Sequence, residues 1–165
     1  GVGFSKNAGN YGGSMIAATE AKKQGYDQVL WTDAFEHKWL QEVGMMNVFF
    51  IINNTVITPS LEEGTILAGV TRNSVITGLK DMGFVVEERK ISIDELLDAH
   101  NQGTLNEVFG TGTAATISLI KELKYQEHII KFDVDNWQTA PKVKTWLNDL
   151  REGKAEDKYG WIFKI

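Results

Sequence analysis

Lys6, Tyr11, Glu42 and two glycine-bearing turns, Gly69-Val70-Thr71 and Gly112-Thr113-Ala114, succeed one another in an order that admits a specific chemistry. A lysine amine condenses with an aldehyde, a carboxylate keeps an aromatic ring nitrogen protonated, a phenol donates to a ring oxygen, and backbone turns hold a phosphate. Those are the requirements of pyridoxal phosphate. Imine formation needs a lysine that is partly neutral, which burial or a neighbouring cation can bring about. Gly9-Asn10-Tyr11, just after Lys6, provides a turn that lets backbone approach a cofactor closely. A helix opening at Gly69 would present unpaired N–H groups and its positive dipole end to an anion. Gly112-Thr113-Ala114 after a strand would add a second nest with a hydroxyl at its centre.

Taken singly, each feature has an ordinary reading. Most lysines are solvated ammonium groups, a glutamate beside a strand usually sits at a wet edge, and a tyrosine is more often half-buried packing. Glycine turns before helices are common, and most bind nothing. The order of all four, from Lys6 to Ala114, is what gives them weight.

The elements that must position these residues can be read from apolar periodicity. Tyr11, Met15 and Ala18 recur at helical spacing from Asn10 to a stop at Gly25, so Lys6 lies just before a helix. Gln28–Thr32 reads as a strand, Asp33–Lys38 as a polar turn, and Met45–Ile52 as a strong strand that returns through Asn53-Asn54 over Thr55–Thr58. Glu42-Val43-Gly44 falls at the entry to that strand, with Gly44 expected to mark a bulge. Val75, Ile76, Leu79 and Met82 give a helix from about Thr71 to Met82, stopped by Gly83. Phe84–Ile91 reads as a strand, and Ser92-Ile93-Asp94-Glu95 as a capping box opening a short helix with Ile93, Leu96 and Leu97 inward. A strand over Glu107–Thr111, an extended stretch over Thr116–Leu123 and a last helix with Pro141 in its first turn complete the pattern. In that helix Val143, Trp146, Leu147 and Leu150 share a face, and the aromatic tail Lys158–Ile165 is expected to pack. The reading is one mixed α/β (α+β) domain spanning residues 1–165, without repeats or linkers.

Composition narrows the function classes. A net charge of -5 argues against nucleic acid and anionic membranes as partners, and zero cysteines remove disulfides, thiolate metal sites and cysteine nucleophiles together. The lack of cysteine suits a cytoplasmic setting, and no apolar run is long enough to span a membrane. His37, His100 and His128 lack metal-ligand spacing and read as surface residues, so no metal is expected. Walker, Rossmann and G-x-S-x-G motifs are absent. The tryptophans, Trp137, Trp146 and Trp161 among them, read as core. The chain does not begin with methionine and its first candidate residue is the sixth, so a piece of a longer protein is expected, with Lys6 weakly secured near the end.

With these residues in view, the sequence resembles the C-terminal domain of branched-chain amino acid aminotransferases, the pseudo-barrel large domain of fold-type IV (class IV) pyridoxal phosphate enzymes. KNAGNYGGS resembles the family's lysine motif, QEVGMMNVFF its acidic motif, GTILAGVTR its helix-start phosphate motif and VFGTGTAA its second anion turn, and DKYGWIFKI is similar to its C-terminus. The resemblance implies pyridoxal 5'-phosphate as cofactor, with Lys6 forming the Schiff base and then moving the proton between the substrate α-carbon and the cofactor. Glu42 would pair with the ring nitrogen and Tyr11 with the ring oxygen. Val70, Thr71 and Thr113 would bind phosphate, and Ala114 would offer its N–H to the substrate carboxylate. The activity implied is transamination of branched-chain L-amino acids (Leu, Ile, Val) with 2-oxoglutarate, by a homodimer when full length, acting on small amino and 2-oxo acids. Met46-Asn47 after the acidic motif favours this group over D-amino acid transaminases and aminodeoxychorismate lyases; these, or a non-catalytic domain, are the alternatives. Met45 stands where many relatives carry threonine and Ala68 where proline is usual. The family's N-terminal domain, which supplies a phosphate-binding arginine and aromatic residues of the substrate pocket, has no counterpart here, so this chain alone is expected to have little or no activity.

Overall fold

The computed structural model of the protein describes residues 2–163, so Lys164 and Ile165 of the aromatic tail lie outside the described residues. In chain order the elements are α1 (Ala8–Lys23), β1 (Leu30–Thr32), β2 (Leu40–Val43), β3 (Met46–Ile52), β4 (Thr55–Thr58), α2 (Val70–Asp81), β5 (Val85–Glu88) and α3 (Ile93–Asn101). They are followed by β6 (Leu105–Gly112), β7 (Thr116–Leu119), β8 (Glu122–Tyr125), β9 (His128–Lys131), a single 3-10 turn at Val134–Asn136 and α4 (Thr139–Arg151).

The sheet forks at β3. Along one edge β3 pairs with β6 from Asn47↔Thr111 to Ile52↔Leu105, and β6 continues to β7. Along the other edge its first residues pair with β2, through Glu42↔Asn47, while its last pair with β4, through Phe50↔Ile57 to Ile52↔Thr55. The β2 branch carries on to β1 and the β4 branch to β5, the latter pair being parallel. One strand thus serves three neighbours.

Alternation on β3 divides the interior in two. Val48 and Phe50 face a core with Leu96 and Ala99 of α3, Val108 of β6 and Ile130 of β9. Phe49 and Ile51 face the opposite core, with Val75, Ile76 and Leu79 of α2 and Val143 and Leu147 of α4. Phe49 stacks on Phe109 with centroids 5.2 Å apart. Each such fully buried side chain contributes about 1.5–3 kcal/mol. Helix ends are set locally. Ser92 Oγ accepts from Glu95 N (3.0 Å), half of the expected capping box, while the Glu95 carboxylate pairs with both terminal nitrogens of Arg89 (2.7 and 3.0 Å). Buried Glu107 starts α4 by accepting from the backbone N–H groups of Gln138, Thr139 and Ala140 at 2.7–2.9 Å.

Several expectations are corrected. Leu40–Val43 is a strand in its own right, and Gly44, at φ +58°, occupies the first place of a two-residue hairpin loop with Met45 and is no bulge. The extended stretch from Thr116 breaks into β7 and β8, and β8 returns through Gln126 (φ +52°) as a separate hairpin with β9. Helix α1 buries no residue, and Met15 and Ile16 are 67% and 78% exposed, because alanine and glycine around them leave no continuous apolar stripe to bury. Trp137 is buried, but Trp161 is 39% exposed and stacks on Tyr159 at 4.4 Å over the half-buried Trp146.

That aromatic cluster closes on α2, where a Cβ added to buried Gly78 would lie 2.6 Å from Trp146 Cη2. Alanine favours a helix over glycine by roughly 1 kcal/mol, yet overpacking costs about 1–3 kcal/mol. The ring is held by Tyr159 and Trp161, so the clash outweighs the propensity. Gly78→Ala is therefore expected to lower the urea midpoint; a midpoint raised by the propensity gain would show that Trp146 moves freely.

Candidate active site

The segment carrying Lys6 is set by side-chain amides. Asn7 caps α1, its Oδ1 accepting from Asn10 N at 3.2 Å. Asn10 Nδ2 donates to Val2 O (3.0 Å) and Ser5 O (2.9 Å), and Phe4 N donates to Gly64 O (3.2 Å). The backbone on either side of Lys6 is clamped, against the expectation of a weakly secured end, while the Lys6 side chain is exposed.

Ser5, Asn10 and Tyr11 line a cavity of about 300 Å³ together with Trp31, Gln41, Glu42 and Leu67. Its wall is braced by Trp31 Nε1 of β1 donating to Gly44 O (3.0 Å) in the β2–β3 hairpin loop. Glu42 is the group of consequence here. Its Oε1 accepts from Asn47 Nδ2 (3.2 Å) and Leu67 N (3.4 Å), and Oε2 has no protein donor among the described residues. Burial pushes its carboxyl up to about 7, with the Leu67 N–H acting in the opposite sense. A carboxyl poised near neutrality with one oxygen unengaged fits a basic ring nitrogen, since the pair can share a proton.

Val70, Thr71 and Thr113 line a second cavity, of about 430 Å³, with Thr116 and Arg151. Helix α2 opens there with Gly69 as N-cap and no side-chain cap, so the first-turn N–H groups are unpaired by intrahelical bonds. The Val70 side chain is 84% exposed, which leaves its backbone N–H as the group it could offer a ligand there. Arg151 Nη1 donates to Thr116 Oγ1 at 2.8 Å, putting a cation on the same wall.

The structure therefore brings Tyr11 and Glu42 together, and separately brings Val70, Thr71 and Thr113 together, with the Leu67–Val70 segment running from one cavity to the other. Lys6 lines neither, and Ala114 is exposed in the β6–β7 turn and lines neither. His37, His100 and His128 are exposed, and no group of metal-ligating side chains occurs among the described residues. Asn47, 5% exposed, was not among the candidates, although an asparagine inside Met46–Ile52, an otherwise apolar strand, is the sort of residue that has to be satisfied by something specific. Thr111, its partner on β6, has a buried hydroxyl with no hydrogen bond among the described residues.

The probable branched-chain-amino-acid aminotransferase of Staphylococcus epidermidis (strain RP62A) is 49% identical over 166 residues, covering 100% of this chain and 46% of that protein. The chain thus spans about half the length of such relatives. The crystal structure of the branched-chain amino acid aminotransferase of Escherichia coli superposes with a TM-score of 0.83 at 26% identity, over 98% of this chain and 49% of the other. That of an aminotransferase from Brucella abortus, bound to the co-factor PLP, gives a TM-score of 0.73 at 26% identity, over 88% of this chain and 47% of the other. The fold is that of these aminotransferases. The model of the family described as amino-transferase class IV matches residues 6–123, from Lys6 through Glu42, the start of α2 and the β6–β7 turn, and the chain belongs to that family.

Proposed function

We propose that this chain is the cofactor-binding part of a longer pyridoxal 5'-phosphate-dependent transaminase, which exchanges the amino group of leucine, isoleucine or valine with 2-oxoglutarate. The observation that carries the reading is Glu42: a carboxyl raised toward neutrality, one oxygen held and one unengaged, sharing its cavity with Tyr11 one turn beyond Lys6. The Brucella abortus aminotransferase, bound to PLP, supports the cofactor, and the relative from Staphylococcus epidermidis supports the substrate class. A homodimer and a cytoplasmic setting belong to the same reading. No helix among the described residues is long and apolar enough to cross a membrane. Because the chain covers 46% of the Staphylococcus epidermidis relative, the remaining substrate contacts are assigned to the other part of the enzyme, and residues 1–165 alone are expected to turn over poorly.

Pyridoxal phosphate supplies, when bound, an aldehyde that condenses with amines and a ring that draws electrons from the substrate α-carbon. In this reading Lys6 Nζ is the condensing amine and later the base that takes the α-proton and returns it. Glu42 holds a proton at the ring nitrogen, and the Tyr11 hydroxyl donates to the ring oxygen. The N–H groups of Val70 and Thr71, at the positive end of α2, and the Thr113 hydroxyl take the phosphate. Ala114 N–H receives the substrate carboxylate.

Borohydride reduction of the full-length protein with pyridoxal phosphate should fix the adduct on Lys6, and Lys6→Ala should lower kcat by roughly 10³-fold or more; peptide mapping that finds adducts on surface lysines and none on Lys6 would overturn the reading. Glu42 also makes the cofactor-free protein pH-sensitive. Its folded pKa lies above the ordinary value of 4.5, so the folded state holds the proton more tightly and stability falls as pH rises from 4.5 to about 7. Glu42→Gln cannot ionise and should raise Tm at pH 8 while leaving it unchanged near pH 4, as calorimetry of the apo protein would record.

A further inference from the structure

We infer that Asn47 is the positioning residue of this site, its one side-chain amide tying the Glu42 carboxylate to the backbone that starts helix α2, so that the ring-nitrogen acid and the phosphate-binding N–H groups are held in a fixed relation. The inference rests on the pyridoxal phosphate reading and adds a residue to it.

The geometry is specific. Asn47 stands directly opposite Glu42 in the β2–β3 register, and its Nδ2 gives one hydrogen to Glu42 Oε1 (3.2 Å) and the other to Leu67 O (2.9 Å). Leu67 closes the triangle by donating its own N–H to the same Glu42 oxygen (3.4 Å), and its carbonyl also accepts from Gly69 N (2.9 Å). Gly69 is the N-cap of α2, and any Cβ there would collide with Asn47 Oδ1. The amide oxygen therefore packs directly against the residue that precedes Val70 and Thr71. A buried amide that satisfies both hydrogens on groups from two other segments fixes their separation more tightly than either segment could alone.

Chemically, the arrangement gives Asn47 two effects that a packing residue would lack. A donor on Oε1 favours the ionised carboxylate and so offsets part of the burial that opposes it. It also turns Oε2, the oxygen without a protein donor, into the one available to a ligand. Tyr11 is the other titratable side chain lining the cavity, so a change in the titration there is assignable between two groups.

The test uses full-length protein and the variants N47A, N47D, E42Q and E42Q/N47A. The Glu42 carboxyl is followed by 13C NMR in apo protein, and pyridoxal phosphate affinity by equilibrium dialysis. Loss of the donor in N47A should move the Glu42 midpoint upward, and N47D, nearly isosteric but bringing a second acid, should move it further. Affinity should weaken about tenfold in N47A, as for loss of a hydrogen bond to a charged group, and no further in E42Q/N47A than in E42Q. A wild-type midpoint and affinity in N47D, or additive losses in the double variant, would reduce Asn47 to scaffold and overturn the inference. If wild type binds no pyridoxal phosphate, the cofactor reading fails, and the Glu42 titration in N47A and N47D still decides whether Asn47 governs the acid.

Discussion

Strand β3 has to satisfy three neighbours with seven residues, and most of the architecture answers to that demand. Its two faces feed two separate cores, so nearly every side chain must be apolar: Val48, Phe49, Phe50 and Ile51 are all buried. Backbone groups on both edges are committed to pairing, and the fork arises because β2 and β4 share one edge while β6 occupies the other. A strand so fully engaged is a rigid reference for whatever its ends carry.

In the proposed reading its first residues hold the chemistry in place. Across the sheet at that end Glu42, Asn47 and Thr111 stand opposite one another on β2, β3 and β6, a polar row at the end of an apolar strand. Burial raises the energy of an ionised carboxylate there, and in the proposed reading the same burial suits the carboxyl to share a proton with a ring nitrogen. Helix α2 is aimed from the same corner, since Leu67 hydrogen-bonds to both Glu42 and Asn47 before the chain turns into its first N–H groups.

Much of this was legible in the sequence where local chemistry decides local structure. Gly25 and Gly83, both with positive φ, end their helices; Asn53-Asn54, both with positive φ, makes the expected hairpin; and Ser92 caps as its spacing foretold. The order of Lys6, Tyr11, Glu42 and the two glycine turns could be read as a pattern from the sequence, while the pairing of Tyr11 with Glu42 in one cavity and of Val70, Thr71 and Thr113 in another could not. What escaped was set by partners remote in sequence. Leu40–Val43 looked like the approach to a longer strand because four residues carry too little alternation to be told apart from the apolar run of β3. The β8–β9 hairpin turns on Gln126, a residue with no turn signature of its own, held in the left-handed region by the pairing around it. Asn47 declared its polarity but not its partners, since Leu67 lies twenty positions away.

Helix α1 has a consequence for how energy is distributed in the chain. It buries no side chain, and its N-terminal end is held by the amides of Asn7 and Asn10. A helix that buries no side chain opens at a free energy far below that of the cores around β3. Amide hydrogen exchange in this chain should thus divide into two regimes, with α1 cycling open many times for each global unfolding event. Tyr11 shares its cavity with Glu42, so the wall opposite the acid is carried on the element of the chain that opens most readily.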